Sequence, residues 1–280
     1  MDAWCDHTLT DAERLTFETD GYLMLEDVLP DDLINQLEVA ADRVGDEERK
    51  AREMTPYERL SVMDFIGRDD VFMDLVDYPK VFPKVFGILG WNINIYHSHL
   101  VVTPPEEPGN VSDEVRGWHQ DSGRVNAEME FSPRPRLSLK VVYFLTDCSI
   151  DGRANFYVVP GTHLEDNFLG NNQRKIDPAG ATPVLAPRGS AVIFDRRLWH
   201  TATPNASEMT RKGLFYGYSY RWLRPRDNMT VAHYMDRSDP IRQQLLGAAP
   251  TGGKGFSSPL DEDVPLKTWM EENLGVGAVV

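Results

Sequence analysis

The sequence predicts a mainly β chain with flanking helices, an α+β protein whose core is a jelly roll or related β-sandwich behind an N-terminal helical layer. Three observations carry this. Apolar residues recur at helical spacing in the first third, the period changes to alternation from Trp91 onward, and no regular strand–helix alternation follows that would build a parallel doubly wound sheet. In the first third, Asp31 after Pro30 is placed to cap a helix in which Leu33, Leu37 and Ala41 recur every four residues, with Ile34 and Val44 beside them. A second helical stretch runs from Val71 to Leu89 through Phe72, Leu75, Val76, Val81, Phe82, Val85 and Phe86. Pro79 and Pro83 break it in two. Then Ile93, Ile95 and His97 alternate with Asn92, Asn94 and Tyr96 as in a strand. Leu137 to Thr146, Asn155 to Val159, Ser190 to Phe194 and Leu214 to Tyr220 read as further strands, with Pro104 to Asn110, Pro160-Gly161 and Pro187 to Gly189 as turns between them.

The 280 residues carry 29 Lys+Arg against 44 Asp+Glu, a net charge of -15, yet 41% are hydrophobic, which is a globular composition. The acid excess excludes binding nucleic acid or an anionic membrane by counterion release, which needs a basic face. The longest apolar run, Val141 to Leu145, falls far short of the roughly 18 residues of a membrane helix. Cys5 and Cys148 cannot build a disulfide framework, and nothing near Met1 resembles a signal peptide. A cytoplasmic protein, monomeric or homodimeric, is expected. One domain over residues 1–280 is expected too: a helical layer about 10–90, a β core about 91–225 and a tail about 226–280, because the candidate ligands below fall on both sides of any midpoint cut.

Seven histidines are present, and His119 is the informative one. Trp118-His119-Gln120-Asp121 places an imidazole and a carboxylate two positions apart, and on an extended segment residues i and i+2 point to the same side. Later, a turn and the buried strand around Ser190 to Asp195 deliver Trp199-His200, and Arg211 stands at the mouth of the next alternating strand. Two histidines and one carboxylate on one face of a metal leave its other positions open, the arrangement of non-haem Fe(II) oxygenases. A nearby arginine suits a dicarboxylate, which its planar fork binds through two hydrogen bonds.

The order of these features resembles the phytanoyl-CoA dioxygenase family of Fe(II)/2-oxoglutarate-dependent oxygenases. The resemblance runs from Phe17-Glu18-Thr19-Asp20-Gly21-Tyr22 through Trp118-His119-Gln120-Asp121 and Val158-Val159-Pro160-Gly161-Thr162-His163 to His200 and Arg211; threonine stands at 162 where the family has serine. It implies a double-stranded β-helix (cupin-like), with His119, Asp121 and His200 as the iron ligands and Arg211 as the anchor for the far carboxylate of 2-oxoglutarate. It implies that O2 and 2-oxoglutarate are co-substrates, that succinate and CO2 are formed, and that a C–H bond is oxidised. Halogenating relatives replace the carboxylate ligand by a small residue; Asp121 is present, which favours hydroxylation. Desaturation, epimerisation and ring formation stay open.

The remaining candidates are weighed against plainer roles. Lys140, inside an apolar strand, either faces outward or meets a 2-oxoglutarate carboxylate; His99 lines the co-substrate pocket or is a packed strand histidine. Arg124, Trp118, Gln120, Arg221 and Trp222 are candidates for substrate contact, the flanking aromatic and amide residues serving equally well as packing. His163 is expected to hydrogen-bond a loop. The rival reading takes His97 and His99 as ligands of another metal-dependent cupin activity, and a non-catalytic binding relative is the third. The expected substrate is a free small molecule, a secondary metabolite or amino-acid-like compound, with the connections Thr103 to Gly117 and Leu164 to Ala181 as its lid.

Overall fold

The computed structural model describes residues 2–109, 117–121, 123–129, 132–166, 173–275 and 277, so both expected lid connections lie partly outside the described residues. Nine strands are present among them: β1 Tyr22–Leu25, β2 Leu60–Met63, β3 Ile93–Thr103, β4 Ser138–Phe144, β5 Phe156–Val158, β6 Thr182–Val184, β7 Ala191–Asp195, β8 His200–Ala202 and β9 Arg211–Tyr220. Six form one sheet in the order β1-β7-β4-β9-β3-β2, and three form a second, β6-β5-β8. β1 and β4 both pair antiparallel with β7, and β6 and β8 both pair antiparallel with β5. Antiparallel sheets with helices make this the α+β class that the change of period predicts, with the cupin-like core that the family resemblance implies. The strands read from alternation are all present, β3 running on beyond His97 to Thr103 and the others ending within a few residues of the expected positions.

Contacts along the chain divide it into two compact units, each assembled from separated segments. One comprises Met1–Asp11, Met63–His99 and Tyr216–Val280. Here the apolar stretch after residue 70 is divided as its prolines require. A 3-10 turn, Asp70–Leu75, precedes a helix, Phe82–Leu89, with Pro83 in its first turn, where a missing N–H costs no hydrogen bond. Trp4, Phe82, Phe86 and Trp269 stack edge-on with centroids 4.9–6.1 Å apart, and the hydroxyls of Tyr216 and Tyr218 donate to the carbonyls of Phe72 and Val76. Tyr216 and Tyr218 of the last strand are therefore core.

The other unit comprises Ala12–Val62 and Leu100–Phe215. Its long helix, Asp31–Ala51, buries Ile34, Leu37, Ala41 and Val44 as the spacing predicts. Asp31 does not cap it. Pro30 occupies the cap position with no side-chain bond, and Asp31 and Asp32 sit in the first turn, where carboxylates complement the helix dipole. The two sheets meet through Val142 and Phe144 of β4, Val192 and Phe194 of β7, Phe156 and Val158 of β5 and Val184 of β6, all buried. Burial of each such side chain contributes about 2 kcal/mol.

Two short motifs far apart in sequence meet in this unit. Gly21 has φ +82°, and a Cβ there would stand 2.5 Å from His163 Nδ1. Only glycine fits that position on both counts. The Gly161 N–H donates to the Asp20 carbonyl, and His163 Nε2 bonds the Glu18 carbonyl at 3.1 Å, the loop-bonding role expected of it.

A buried charge cluster fixes the end of β7. Arg136 forks onto Glu18 at 2.7 and 2.9 Å and donates to Asp195 Oδ2 at 2.7 Å, while Arg197 donates to both Asp195 oxygens. Burial would raise the Asp195 carboxyl, but Arg197 and Arg136 hold it below the ordinary range. A depressed folded pKa contributes stability that is complete above the ordinary carboxylate pKa and lost as pH falls through the folded value. Acid unfolding is therefore expected to begin only below about pH 4. Asp195→Asn, which leaves the Arg197 guanidinium without a carboxylate while Arg136 keeps Glu18, is expected to cost about 3–5 kcal/mol and to flatten the acid limb of a pH–stability curve, read by chemical denaturation.

Candidate metal centre

His119 and His200 are paired across an isolated antiparallel bridge, each N–H donating to the other's carbonyl at 3.0 Å, and their ring centroids are 4.3 Å apart. Asp121 is brought to them because its own N–H donates to the Arg196 carbonyl at 2.8 Å. The result is a His119–Asp121–His200 cluster whose ligand atoms all lie within 4.8 Å of one another. Both rings are oriented in the same way. His119 Nδ1 lies 2.8 Å from the Gly117 carbonyl and His200 Nδ1 lies 2.8 Å from the Leu198 carbonyl. A carbonyl only accepts, so each Nδ1 carries the proton and each Nε2 offers its lone pair, a tautomer choice typical of metal-binding histidines. His200 is further held by Phe194 and Phe156, at 5.0 and 5.4 Å.

The electrostatics favour a cation. Burial, reinforced by His119, lowers His200 to about 3, leaving a neutral imidazole. Burial would raise the Asp121 carboxyl, but Lys140, His200 and His119 hold it well below the ordinary range. Asp121 Oδ1 accepts from Lys140 Nζ at 2.9 Å. Oδ2 is buried, 3.9 Å from His200 Nε2, with no hydrogen-bond partner among the described residues. Such an orphaned carboxylate oxygen between two imidazole lone pairs fits a divalent metal ion, and two histidines with one carboxylate suit iron(II).

The sequence profile described as phytanoyl-CoA dioxygenase (PhyH) matches residues 17–213. The chain belongs to the phytanoyl-CoA dioxygenase family. Membership makes it a non-haem iron(II)- and 2-oxoglutarate-dependent dioxygenase, and the cluster could hold the metal ion such an enzyme requires. Dioxygenase trt7 of Aspergillus terreus is 23% identical over 245 residues, which cover 82% of this chain and 81% of that protein. The ectoine dioxygenase of Nocardia farcinica is 24% identical over 234 residues, 71% of this chain and 74% of that one. Among solved structures, HygX from Streptomyces hygroscopicus, with nickel and 2-oxoglutarate bound, is similar with a TM-score of 0.61 at 15% identity over 78% of this chain and 90% of that one. That likeness is one of fold.

The phytanoyl-CoA dioxygenase motifs account for the cluster, and the other candidates divide. Lys140 shares a strand face with Val142 and Phe144, so it points into the sandwich, where it meets Asp121. Arg211 begins β9 and is 3% exposed, its guanidinium 5.2 Å from the Phe144 ring and 5.7 Å from that of Phe215. Its Nε has no hydrogen-bond partner, and no carboxylate pairs with it among the described residues. Burial lowers its pKa. Trp118 and Gln120 face away from the metal ligands, as their odd-numbered neighbours require. Trp118 packs with Tyr157, Val159 and Trp199 and donates to Asp177, and Gln120 donates to the Arg197 carbonyl. Arg124 is exposed and paired with Glu128 one turn on, off the cavity wall. Arg221 is buried by donating to the Gly255 and Ala248 carbonyls, and Trp222 is an exposed ring stacked on Tyr220. Those interactions serve packing, so the substrate roles expected of these five residues gain no support. His99, half-buried on β3, has its ring 5.8 Å from that of His97, which bonds Asp227 at 2.8 Å. Among the described residues neither histidine belongs to a cluster able to hold a metal, which removes the basis of the rival His97/His99 centre.

A cavity of about 530 Å³ opens beside His119. Its walls include Glu106, which falls in the connection Thr103 to Gly117 expected as part of the lid, and Thr203 and Asn205, which no periodicity or motif marks.

Proposed function

We propose that this dioxygenase hydroxylates an unactivated C–H bond of a small metabolite in the cytoplasm, with His119, Asp121 and His200 holding Fe(II) and Arg211 anchoring 2-oxoglutarate. The overall change balances as R–H + O2 + 2-oxoglutarate → R–OH + succinate + CO2. When bound, the metal supplies the oxidising power that no side chain has. The observation that carries this reading is Asp121 Oδ2, buried without a partner opposite two imidazoles whose tautomers are already set.

Each residue then has a separate task. The Gly117 and Leu198 carbonyls keep the two Nε2 atoms deprotonated and aimed. Lys140, expected to meet 2-oxoglutarate, instead serves Asp121: it occupies Oδ1, so the carboxylate offers Oδ2 alone. Arg211 presents a guanidinium that no carboxylate among the described residues satisfies, a receptor already in place for the far end of a dicarboxylate. Phe144, Phe156 and Phe194 keep bulk water from the space around His200 and Arg211. The two units are interleaved in sequence, which supports reading the whole chain as one catalytic domain.

The test is succinate formation from 2-oxoglutarate by metal-stripped protein resupplied with Fe(II) in air. Succinate is expected only with Fe(II) present, and His200→Ala should lower the rate about 1,000-fold or more, roughly 4 kcal/mol. A wild-type protein that binds neither Fe(II) nor 2-oxoglutarate would refute the proposal.

A further inference from the structure

We propose that Gly213 sets the length of the 2-oxo dicarboxylate this enzyme accepts, by leaving room for the Arg211 guanidinium to lie down against β9. The inference rests on the proposed role of Arg211 as the co-substrate anchor and names the residue that decides how that anchor is seated.

A glycine is unexpected at this position. β9 is an inner strand, between β4 and β3, and a glycine inside a strand weakens it, having no side chain to pack and more backbone freedom to lose. The backbone does not require it, because Gly213 lacks the positive φ of Gly21 or Gly161. What the position requires is space. A Cβ at Gly213 would stand 3.1 Å from Arg211 Cζ, 3.1 Å from Nη2 and 3.2 Å from Nη1, closer than side chains ordinarily pack. Near-equal distances to the carbon and both terminal nitrogens put that Cβ over the flat face of the guanidinium. A guanidinium donates in its own plane, so the face resting on the glycine gives up no hydrogen bond.

Residues two apart in a strand share a side, so the arginine runs along β9 over Gly213 instead of rising straight from the sheet. The rings of Phe144 and Phe215, at 5.2 and 5.7 Å, flank it. Both pack in the apolar cluster between the two sheets, and Phe156 and Phe194 of the same cluster hold the His200 ring. A side chain at 213 would therefore lift the guanidinium off β9 into the layer that carries His200. The strand backbone is held by neighbours on both sides, whereas the guanidinium is the far end of a flexible side chain, so the guanidinium yields. The span between anchor and metal ligands then shortens, and a shorter diacid fits it better.

The test titrates Gly213→Ala and Gly213→Val calorimetrically, under argon with Fe(II) present, with 2-oxoglutarate, with oxaloacetate, one methylene shorter, and with 2-oxoadipate, one longer. The wild type is expected to prefer 2-oxoglutarate. Gly213→Ala should lower 2-oxoglutarate affinity about tenfold, because a forked contact tolerates little displacement, and 2-oxoadipate affinity at least as much. Oxaloacetate affinity should hold or rise, so that the preference between the two shorter diacids narrows, and narrows further in Gly213→Val. Fe(II) affinity without diacid and the urea midpoint of Gly213→Ala should not fall, since alanine has less backbone freedom to lose on folding. Unchanged diacid affinities in Gly213→Ala would overturn the inference, and so would an equal loss of all three, which marks the glycine as general packing. Arg211→Met, run beside it, separates the two levels. If the wild type binds no diacid, or Arg211→Met binds 2-oxoglutarate as the wild type does, the anchor reading fails and this inference with it. If Arg211→Met loses 2-oxoglutarate and Gly213→Ala keeps the wild-type preference, only the role of Gly213 is wrong.

Discussion

Asp121→Ala is expected to abolish measurable Fe(II) binding and to destabilise the protein by about 3–5 kcal/mol, whereas Asp121→Ala combined with Lys140→Met should recover most of the stability and none of the metal affinity. The reason is the pairing at 2.9 Å between two side chains that are both more than nine-tenths buried. Removing the carboxylate alone leaves an ammonium in the sandwich interior, with Val142 and Phe144 on its own strand face. Removing both charges replaces a salt bridge by apolar groups, which is often close to neutral. Lys140→Met alone is the informative third corner. It frees Oδ1, leaves an unpaired carboxylate and should lower Fe(II) affinity by about 10–100-fold, the range seen when groups orienting metal ligands are lost. Calorimetric titration with Fe(II) under argon and urea denaturation read the two quantities separately. If Lys140→Met weakens 2-oxoglutarate binding and leaves iron affinity untouched, Lys140 serves the co-substrate instead.

The same pair shows where sequence reasoning stops. That Lys140 is anomalous is legible, since a charge inside an apolar strand must either turn outward or find a partner. Which of the two occurs depends on the partner's position, set 19 residues earlier by a backbone bond from Asp121 to the Arg196 carbonyl. The His-x-Asp spacing and the Pro-Gly-Thr-His segment are local patterns, and they were readable. So were the strands long enough to alternate. β8 was not, because His200-Thr201-Ala202 carries no apolar alternation, and neither was β1, whose place beside β7 follows from long-range pairing. Trp118 and Gln120 make packing and hydrogen-bond contacts, since the alternation that places His119 and Asp121 on one side puts their neighbours on the other.

Arg211→Met is expected to weaken 2-oxoglutarate binding by about 100-fold or more and, in the absence of 2-oxoglutarate, to raise the thermal midpoint. The first effect follows from losing a forked, charge-assisted contact of about 1.5–3 kcal/mol per hydrogen bond in a buried site. The second follows from what Arg211 lacks. Its guanidinium is buried against two aromatic rings without a carboxylate partner among the described residues, so folding carries its desolvation without the compensating ion pair. The rings return about 0.5–2 kcal/mol as cation–π attraction, and a methionine thioether regains part of that against the same rings. A neutral side chain of similar length is therefore expected to stabilise the free protein by about 1–2 kcal/mol. The sign should reverse when 2-oxoglutarate is added in excess, because ligand binding stabilises only the protein that binds it. Arg211→Lys retains the charge without the fork and should fall between the two in affinity while remaining no more stable than wild type. Thermal denaturation with and without 2-oxoglutarate decides the matter. An Arg211→Met protein that is less stable without ligand, or one that keeps full 2-oxoglutarate affinity, would show that this arginine is a structural strut and that the dicarboxylate is held elsewhere.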